Sequence, residues 1–256
     1  MTSVTVAILT LNEERRIERC IESAAWADQI VVVDSASKDR TQEIARAKGA
    51  QVFEYADWQG FAAQRNRLLA HCTSDYIFFL DADEELTPEL SNEILAVARS
   101  GSTKVWKVAW EQVAFGRRLT AMSSKGGIPR LFVREHLARY EGVVHEQAIL
   151  SVPTVYGVLK NRLPHYSRDT IHASLLKLAQ YTQLGAAKRA EQGKRGGIFR
   201  GLASAAASFF RLYIGQRGFL CGGAGFLHCL LVSLECFFRY AALEYDKAYL
   251  GQIVKR

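Results

Sequence analysis

The chain has 256 residues, enough for one large domain or one domain with an appendage. Hydrophobic residues make up 49% of it and charged residues 23%, which excludes a disordered chain and allows a substantial core. A net charge of +7 and a pI near 9.2 point to an anionic partner: nucleic acid, a membrane surface or a phosphorylated substrate.

Five cysteines without a CxxC pair fit a reducing compartment and weigh against a zinc site of that kind. The opening MTSVTVAILTLNEE has no basic n-region, and its apolar run is too short for a signal peptide, so a cytoplasmic location is expected.

VTVAIL at 4–9 predicts a strand, and residues 13–25 predict a helix with Asn12 as its N-cap. QIVVVD at 29–34 predicts a second strand, apolar on both faces as in the middle of a parallel sheet. SKDRTQEIARAKGA reads as a helix ending at Gly49, and QVFEYA as a third strand. Residues 60–72 read as a helix, and DYIFFL as a fourth strand. Such alternation predicts a doubly wound α/β sheet with right-handed crossovers.

The pattern changes between about 103 and 166. KVWKVAW and RLFVR read as strands, and glycine and proline punctuate SSKGGIPRLF. This stretch predicts mixed structure that completes a first domain at 1–168. The remainder, 169–256, reads as helical. Within it, residues 186–217 hold Lys188, Arg189, Lys194, Arg195, Arg200, Arg211 and Arg217 against a single acid, Glu191, and the apolar segment 218–243 follows.

Ligands of doubly wound sheets bind beyond the carboxyl ends of the strands. Three polar clusters fall there: Thr10 to Glu14, Asp34 to Asp39, and Asp81 to Glu84. No GxGxxG or Walker A pattern follows any strand, which weighs against dinucleotide and P-loop sites. Asp81 and Asp83 are one residue apart just past a buried strand, so alternation sends both carboxylates to one side. Two hard oxygen ligands with open positions suit Mg²⁺ or Mn²⁺, completed by substrate phosphates. The same acids could instead cap a helix beginning near Thr87-Pro88-Glu89.

TLNEE at 10–14, VVVDSASKDRT at 31–41, QRN at 64–66 and DADE at 81–84 resemble, in order and spacing, the inverting glycosyltransferases of family 2. The resemblance implies a GT-A fold, a Rossmann-like and mostly parallel α/β sheet. IPRLF, YEGVVHEQ, LPHYS and the ending RGFLCGGAGF…FFRYAALEY are similar to the bacterial lipopolysaccharide core glucosyltransferases of the WaaE/KdtX type. That narrower resemblance spans nearly the whole length.

The resemblance implies roles residue by residue. Thr10, Asn12 and Glu14 would lie at the nucleotide, and Asp34 would accept a hydrogen bond from the base, uracil for a UDP-sugar. Ser35 and Asp39 share that loop, and Arg65 would lie near the pyrophosphate. Asp83 would bind the metal directly, and Asp81 would contact the ribose or a metal-bound water. Glu146 in VVHEQ would be the general base, with His145 beside it where the family commonly has a Glu-Asp pair. His165 would return to the metal. SKGGIPR resembles a glycine loop over the donor sugar, with Arg130 near phosphate. Each position also has a plainer reading: a helix-start acid for Asp39, a turn former for Asp34, and a surface charge for Arg65 and Arg130. For Glu146 it is a salt bridge, and for His145 and His165 a packed ring.

The basic stretch carries no RNA-binding signature and lies beside an apolar segment, so an anchor on an anionic leaflet is expected rather than nucleic acid. The 218–243 segment is long enough to span a bilayer, but His228, Glu235 and Arg239 are costly in hydrocarbon. A helix or hairpin in the interface is therefore expected, with packing on the catalytic domain or a dimer contact as the alternative. Together these imply a metal-dependent hexosyltransferase at the cytoplasmic face of the inner membrane. It would move glucose from a UDP-sugar to a lipid-linked lipopolysaccharide core acceptor. The alternatives are transfer to polyprenyl phosphate or another cell-surface glycan, and a nucleotide-sugar-binding scaffold without turnover.

Overall fold

The computed structural model describes residues 2–122, 126–142 and 147–253. The chain divides into two compact units, one from 1–110 and 124–165, the other from 111–123 and 166–256. Residues 111–123 thus group with 166–256.

The predicted alternation forms the first unit. Its elements are β1 (Val4–Thr10), α1 (Ile17–Ser23), β2 (Gln29–Asp34), α2 (Thr41–Ala47), β3 (Gln51–Glu54), α3 (Phe61–His71), β4 (Tyr76–Asp81) and α4 (Pro88–Arg99). The chain continues through β5 (Val105–Val108), β6 (Trp110–Ala114), β7 (Arg117–Arg118), β8 (Ile128–Val133), β9 (Leu137–Glu141), β10 (Gln147–Leu150), β11 (Tyr156–Val158) and β12 (Leu163–Arg168). A seven-stranded sheet runs in the order β11-β5-β8-β4-β1-β2-β3. β1 to β4 are parallel, whereas β8 enters antiparallel between β4 and β5.

The central strands are apolar on both faces because both faces are covered. Val6, Ile8, Phe78 and Leu80 pack with Ile17 and Ile94 on one side. Ala7, Ile77 and Phe79 pack with Leu68 and Phe132 on the other. Register then sets the functional edge: Thr10 pairs with Asp34, and Leu9 pairs with Asp81.

Two helix starts differ from expectation. Asn12 sits at φ 54, in the left-handed region, and α1 begins only at Ile17. Its polar atoms serve the next loop, with its N–H donating to Ser37 Oγ and its Oδ1 accepting from Lys38 N–H. The cap of α4 is Thr87, whose Oγ1 accepts from Leu90 N–H at 3.2 Å with Pro88 following. Asp81, Asp83 and Glu84 therefore do not cap that helix. Of the SKGGIPR stretch, Ser124 and Lys125 lie outside the described residues, and Ile128 onward is strand β8.

The second unit is mostly helical: α5 (Ile171–Glu191), α6 (Ile198–Phe210), α7 (Gly222–Tyr245) and α8 (Lys247–Ile253). A π-helical turn (Arg211–Gly215) and a 3-10 turn (Gly218–Cys221) join α6 to α7. The stretch Gly218–Tyr245 is long and apolar enough to cross a membrane.

α6 approaches α7 through Gly201, where a β-carbon would lie 2.9 Å from the Phe237 carbonyl oxygen. This contact makes a prediction against intrinsic preference. Alanine is the better helix former by roughly 1 kcal/mol, yet Gly201→Ala should destabilise the protein by about 1–3 kcal/mol, because backbone must move to admit the methyl. A lower thermal midpoint is expected, and a raised one would contradict this packing.

Candidate active site

The loops after β1 and β2 are stitched into one polar rim. Asp34 is fully buried; its Oδ1 accepts from Ser37 N–H and from Gln42 Nε2, both at 2.8 Å. Its Oδ2 accepts from the Ser37 hydroxyl. The carboxylate expected at the base is thus engaged within its own loop. Asp39 receives Thr41 N–H at 3.0 Å and Glu14 N–H at 3.2 Å, and Glu14 in turn accepts from Arg40 N–H. Burial opposes ionisation of Asp39, but the Thr41 and Glu14 bonds prevail and lower its pKa. This is the helix-start geometry that the plainer reading of Asp39 anticipates. Thr10 is buried, and its hydroxyl has no hydrogen-bond partner among the described residues.

The QRN triplet sits on α3, and each residue reaches a different element. Gln64 is fully buried and donates to Ser35 Oγ at 2.8 Å. Asn66 makes two bonds to the Tyr140 backbone, accepting its N–H at 2.7 Å and donating to its carbonyl at 2.9 Å. Between them Arg65 lies against the rings of Phe79 and Tyr140, 5.5 and 5.6 Å from their centroids, with its guanidinium 3.5 Å from Asp81 Oδ1. Arg65 is therefore no loose surface charge but is held toward the end of β4.

At that end stands a buried ionic cluster. Arg130, from β8, donates to Asp81 Oδ2 and to Glu84 Oε1, each at 2.6 Å. Its side chain is only 2% exposed, so Arg130 is a core cation and not the surface charge of the plainer reading. Glu84 accepts a second bond at Oε1 from Trp110 Nε1 at 2.5 Å, and its Oε2 accepts from Asp81 N–H at 2.8 Å. Burial opposes ionisation of Asp81, but Arg130 and Arg65 hold its carboxyl well below the usual carboxylate range. Burial pushes Glu84 up, against the pull of Arg130. Arg130 stays charged because the two carboxylates outweigh its own burial.

Asp83 faces a different partner. Its Oδ2 lies 3.3 Å from His165 Nε2, and the imidazole stacks on Trp110 with centroids 4.9 Å apart. β12 brings His165 here by passing alongside the turn, with Glu85 N–H donating to the Pro164 carbonyl. Burial opposes protonation of His165, yet the Asp83 bond and the carboxylates of Glu84 and Asp81 raise its pKa. Among the described residues, no three His, Cys, Asp or Glu side chains converge as a complete metal site. Asp83 and His165 offer a hard carboxylate oxygen and an imidazole nitrogen side by side, a donor set that fits Mg²⁺ or Mn²⁺ when substrate phosphates supply the rest.

His145 and Glu146 lie outside the described residues. Four residues to which the motifs assign no role pack around these groups: Gln64, Asn66, Glu84 and Trp110. Gln64 and Asn66 flank Arg65 in sequence, which was the available signal. Trp110 is tied to Glu84 across 26 residues, and nothing local marks it.

Residues 5–145 match the model of glycosyl transferase family 2. Over 97% of its length the chain is 29% identical to lipopolysaccharide core biosynthesis glycosyltransferase LpsC of Rhizobium meliloti, covering 92% of that protein. It is 28% identical to an uncharacterized glycosyltransferase of Rickettsia felis, over 95% of this chain and 90% of that one. The crystal structure of glucosyl-3-phosphoglycerate synthase from Mycobacterium tuberculosis in complex with Mn²⁺, UDP and glucosyl-3-phosphoglycerate shares a partial backbone course. It covers 53% of this chain and 58% of that one, with a TM-score of 0.41 and 22% identity. The family model spans more than half of the sequence, and beneath it lies a GT-A sheet whose parallel strands end in the DADE turn: the chain belongs to glycosyl transferase family 2.

Proposed function

We propose that the protein is an inverting, metal-dependent hexosyltransferase that moves glucose from a UDP-sugar to a lipopolysaccharide core sugar at the cytoplasmic face of the inner membrane. The observation that carries this reading is the pairing of Asp83 with His165 at the end of β4, beside an Asp81 clamped by two arginines. The near full-length likeness to the lipopolysaccharide core glycosyltransferase LpsC supports a core sugar as acceptor.

Transfer with inversion needs charge to receive a departing diphosphate and a base to take the acceptor's proton. Asp83 and His165 would hold Mg²⁺ or Mn²⁺, which when bound neutralises the diphosphate. Asp81 is kept ionised and fixed by Arg130, so its remaining edge is presented to the ribose or to a metal-bound water. Arg65, held by Asp81 and two rings, adds a cation on the pyrophosphate side. Thr10, Asn12 and Glu14 line the nucleotide side of the rim, with Asp34, Ser35 and Asp39 in the loop that faces the base. Glu146 takes the proton from the acceptor hydroxyl as its oxygen bonds to the anomeric carbon and the bond to diphosphate breaks, with His145 adjacent.

Calorimetric titration of UDP tests the donor site. Wild-type protein should bind UDP with Mn²⁺ and lose binding in EDTA. Asp83→Ala should weaken binding by more than the ~10–100-fold typical of removing an outer-shell partner. Metal-independent binding that survives Asp83→Ala would remove Asp83 from the site. Glu146→Gln should reduce transfer by about 10²–10⁴-fold while leaving UDP affinity intact; a variant that turns over normally would show that the base lies elsewhere.

The clamp has its own test in urea unfolding. Arg130→Met should cost about 3–5 kcal/mol, because the fully buried Glu84 carboxylate and the half-buried Asp81 lose their cation. Adding Glu84→Gln should restore part of that loss, and strictly additive effects would contradict the cluster.

A further inference from the structure

Helix α6 is inside out for the surface of a soluble protein. Gly201 and Ser208 are its buried positions, facing α7. At 3.6 residues per turn the opposite side carries Phe199, Leu202, Ala203, Ala206 and Phe210, and all five are exposed. Phe199 is 87% exposed and Phe210 63%, and the apolar stripe continues past the helix end with Ile214 at 56% and Leu220 at 62%. A surface helix ordinarily turns its polar side outward. Here the small and hydroxyl-bearing residues point in, and the large apolar ones point out. An apolar surface of this extent marks an interaction site.

Charge identifies the occupant. Residues 192–234 contain no aspartate or glutamate, but five exposed cations: Lys194, Arg195, Arg200, Arg211 and Arg217. The excess is regional, with 13 lysines and arginines against 5 acids in 166–256, leaving 20 against 21 in 1–165. A symmetric pair of copies would set this patch against itself and bring like charges together. An anionic phospholipid surface offers acyl chains to the stripe and phosphates to its flanks.

The longer apolar helix is a poorer candidate for the membrane element. α7 packs against both α5 and α6, and it carries the Glu235–Arg239 ion pair along its length. That pair would be costly in the hydrocarbon core.

We propose that α6, with the turns that follow it to Leu220, lies flat in the headgroup region of an anionic bilayer, its Phe199–Leu202–Phe210–Ile214 stripe among the acyl chains. α7 then braces α6 from behind and does not cross. The inference rests on the reading of a lipid-linked acceptor only for its purpose, and its test requires no turnover.

The full-length protein is sedimented with vesicles of phosphatidylethanolamine and phosphatidylglycerol, and with vesicles of phosphatidylcholine alone. Binding should favour the anionic vesicles and weaken as salt rises. Phe199→Ser with Phe210→Ser should lower partitioning by at least about ten-fold, since two large apolar side chains no longer enter the lipid. UDP affinity of the same variant should be unchanged, which shows that it is folded. In a second measurement, Phe210→Trp should give indole emission that brominated phospholipid quenches on binding. Wild-type protein that ignores anionic vesicles, a double serine variant that binds them as well as wild type, or an unquenched Trp at 210 would each overturn the proposal. So would a dimer in solution that the serine variant splits, because the face would then join copies of the chain. Vesicle binding by a protein that fails to bind UDP would sink the donor site and leave this inference standing.

Discussion

A guanidinium with almost no exposure to water lies between two carboxylates, and the geometry of the site depends on that contact. Arg130 reaches Asp81 and Glu84 at 2.6 Å each. An unpaired charge at the depth of Arg130 and Glu84 would be prohibitively costly, so those two require each other, and the half-buried Asp81 joins them at the water-facing side. They also come from two neighbouring strands and the turn that follows one of them. β8 supplies the cation, β4 ends at the first carboxylate, and the turn supplies the second. The cluster therefore works as a clasp on the sheet edge. An apolar strand runs directly into acids because its last residue must meet Arg130 from β8, antiparallel beside it.

The clasp separates two aspartates that look equivalent in sequence. Asp81 has Arg130 on one oxygen and Arg65 facing the other, which keeps it ionised and immobile. Asp83 lies beyond that pair and meets His165 instead. Trp110 connects the two halves. Its indole N–H holds Glu84 while its ring face supports the imidazole of His165. The charge balance around Asp81 and the orientation of His165 thus share one side chain, so a substitution at Trp110 would disturb both.

Much of the edge was legible before any coordinates. Parallel strands buried on both faces read as unbroken apolar runs, and β1, β2 and β4 each stop at the polar residue where the run ends. The β1–β2 and β1–β4 pairings then bring those ends together. Helix starts were less legible. Asn12 has the chemistry of a cap, yet tertiary bonds to Ser37 and Lys38 hold it in a left-handed turn instead. The role of Arg130 was not legible, because its carboxylate partners are 49 and 46 residues away and each motif looks complete without the other. The same limit hid Trp110 and the backbone clamp from Asn66 to Tyr140, 74 residues apart.

The helical unit carries the complementary lesson about composition. Segment 218–243 is the most conspicuous apolar run in the sequence, and it became the expected membrane element. That helix meets α5 and α6 along one side, where Ala224, Gly225, Cys229, Leu231, Ser233, Ala242 and Leu243 are buried. The outward-facing apolar surface includes α6 and the turns after it, with Phe199, Leu202, Phe210, Ile214 and Leu220 exposed, and the alanines and serines of α6 dilute its phenylalanines in any average. Mean hydropathy cannot distinguish a helix with phenylalanine inside from one with phenylalanine outside; only the identity of the packed face can. Gly201 and Ser208 determine that face, because small side chains let α6 approach α7 closely and so turn Phe199 and Phe210 away from it. The residues that decide where the apolar surface points are therefore the least hydrophobic ones on the helix.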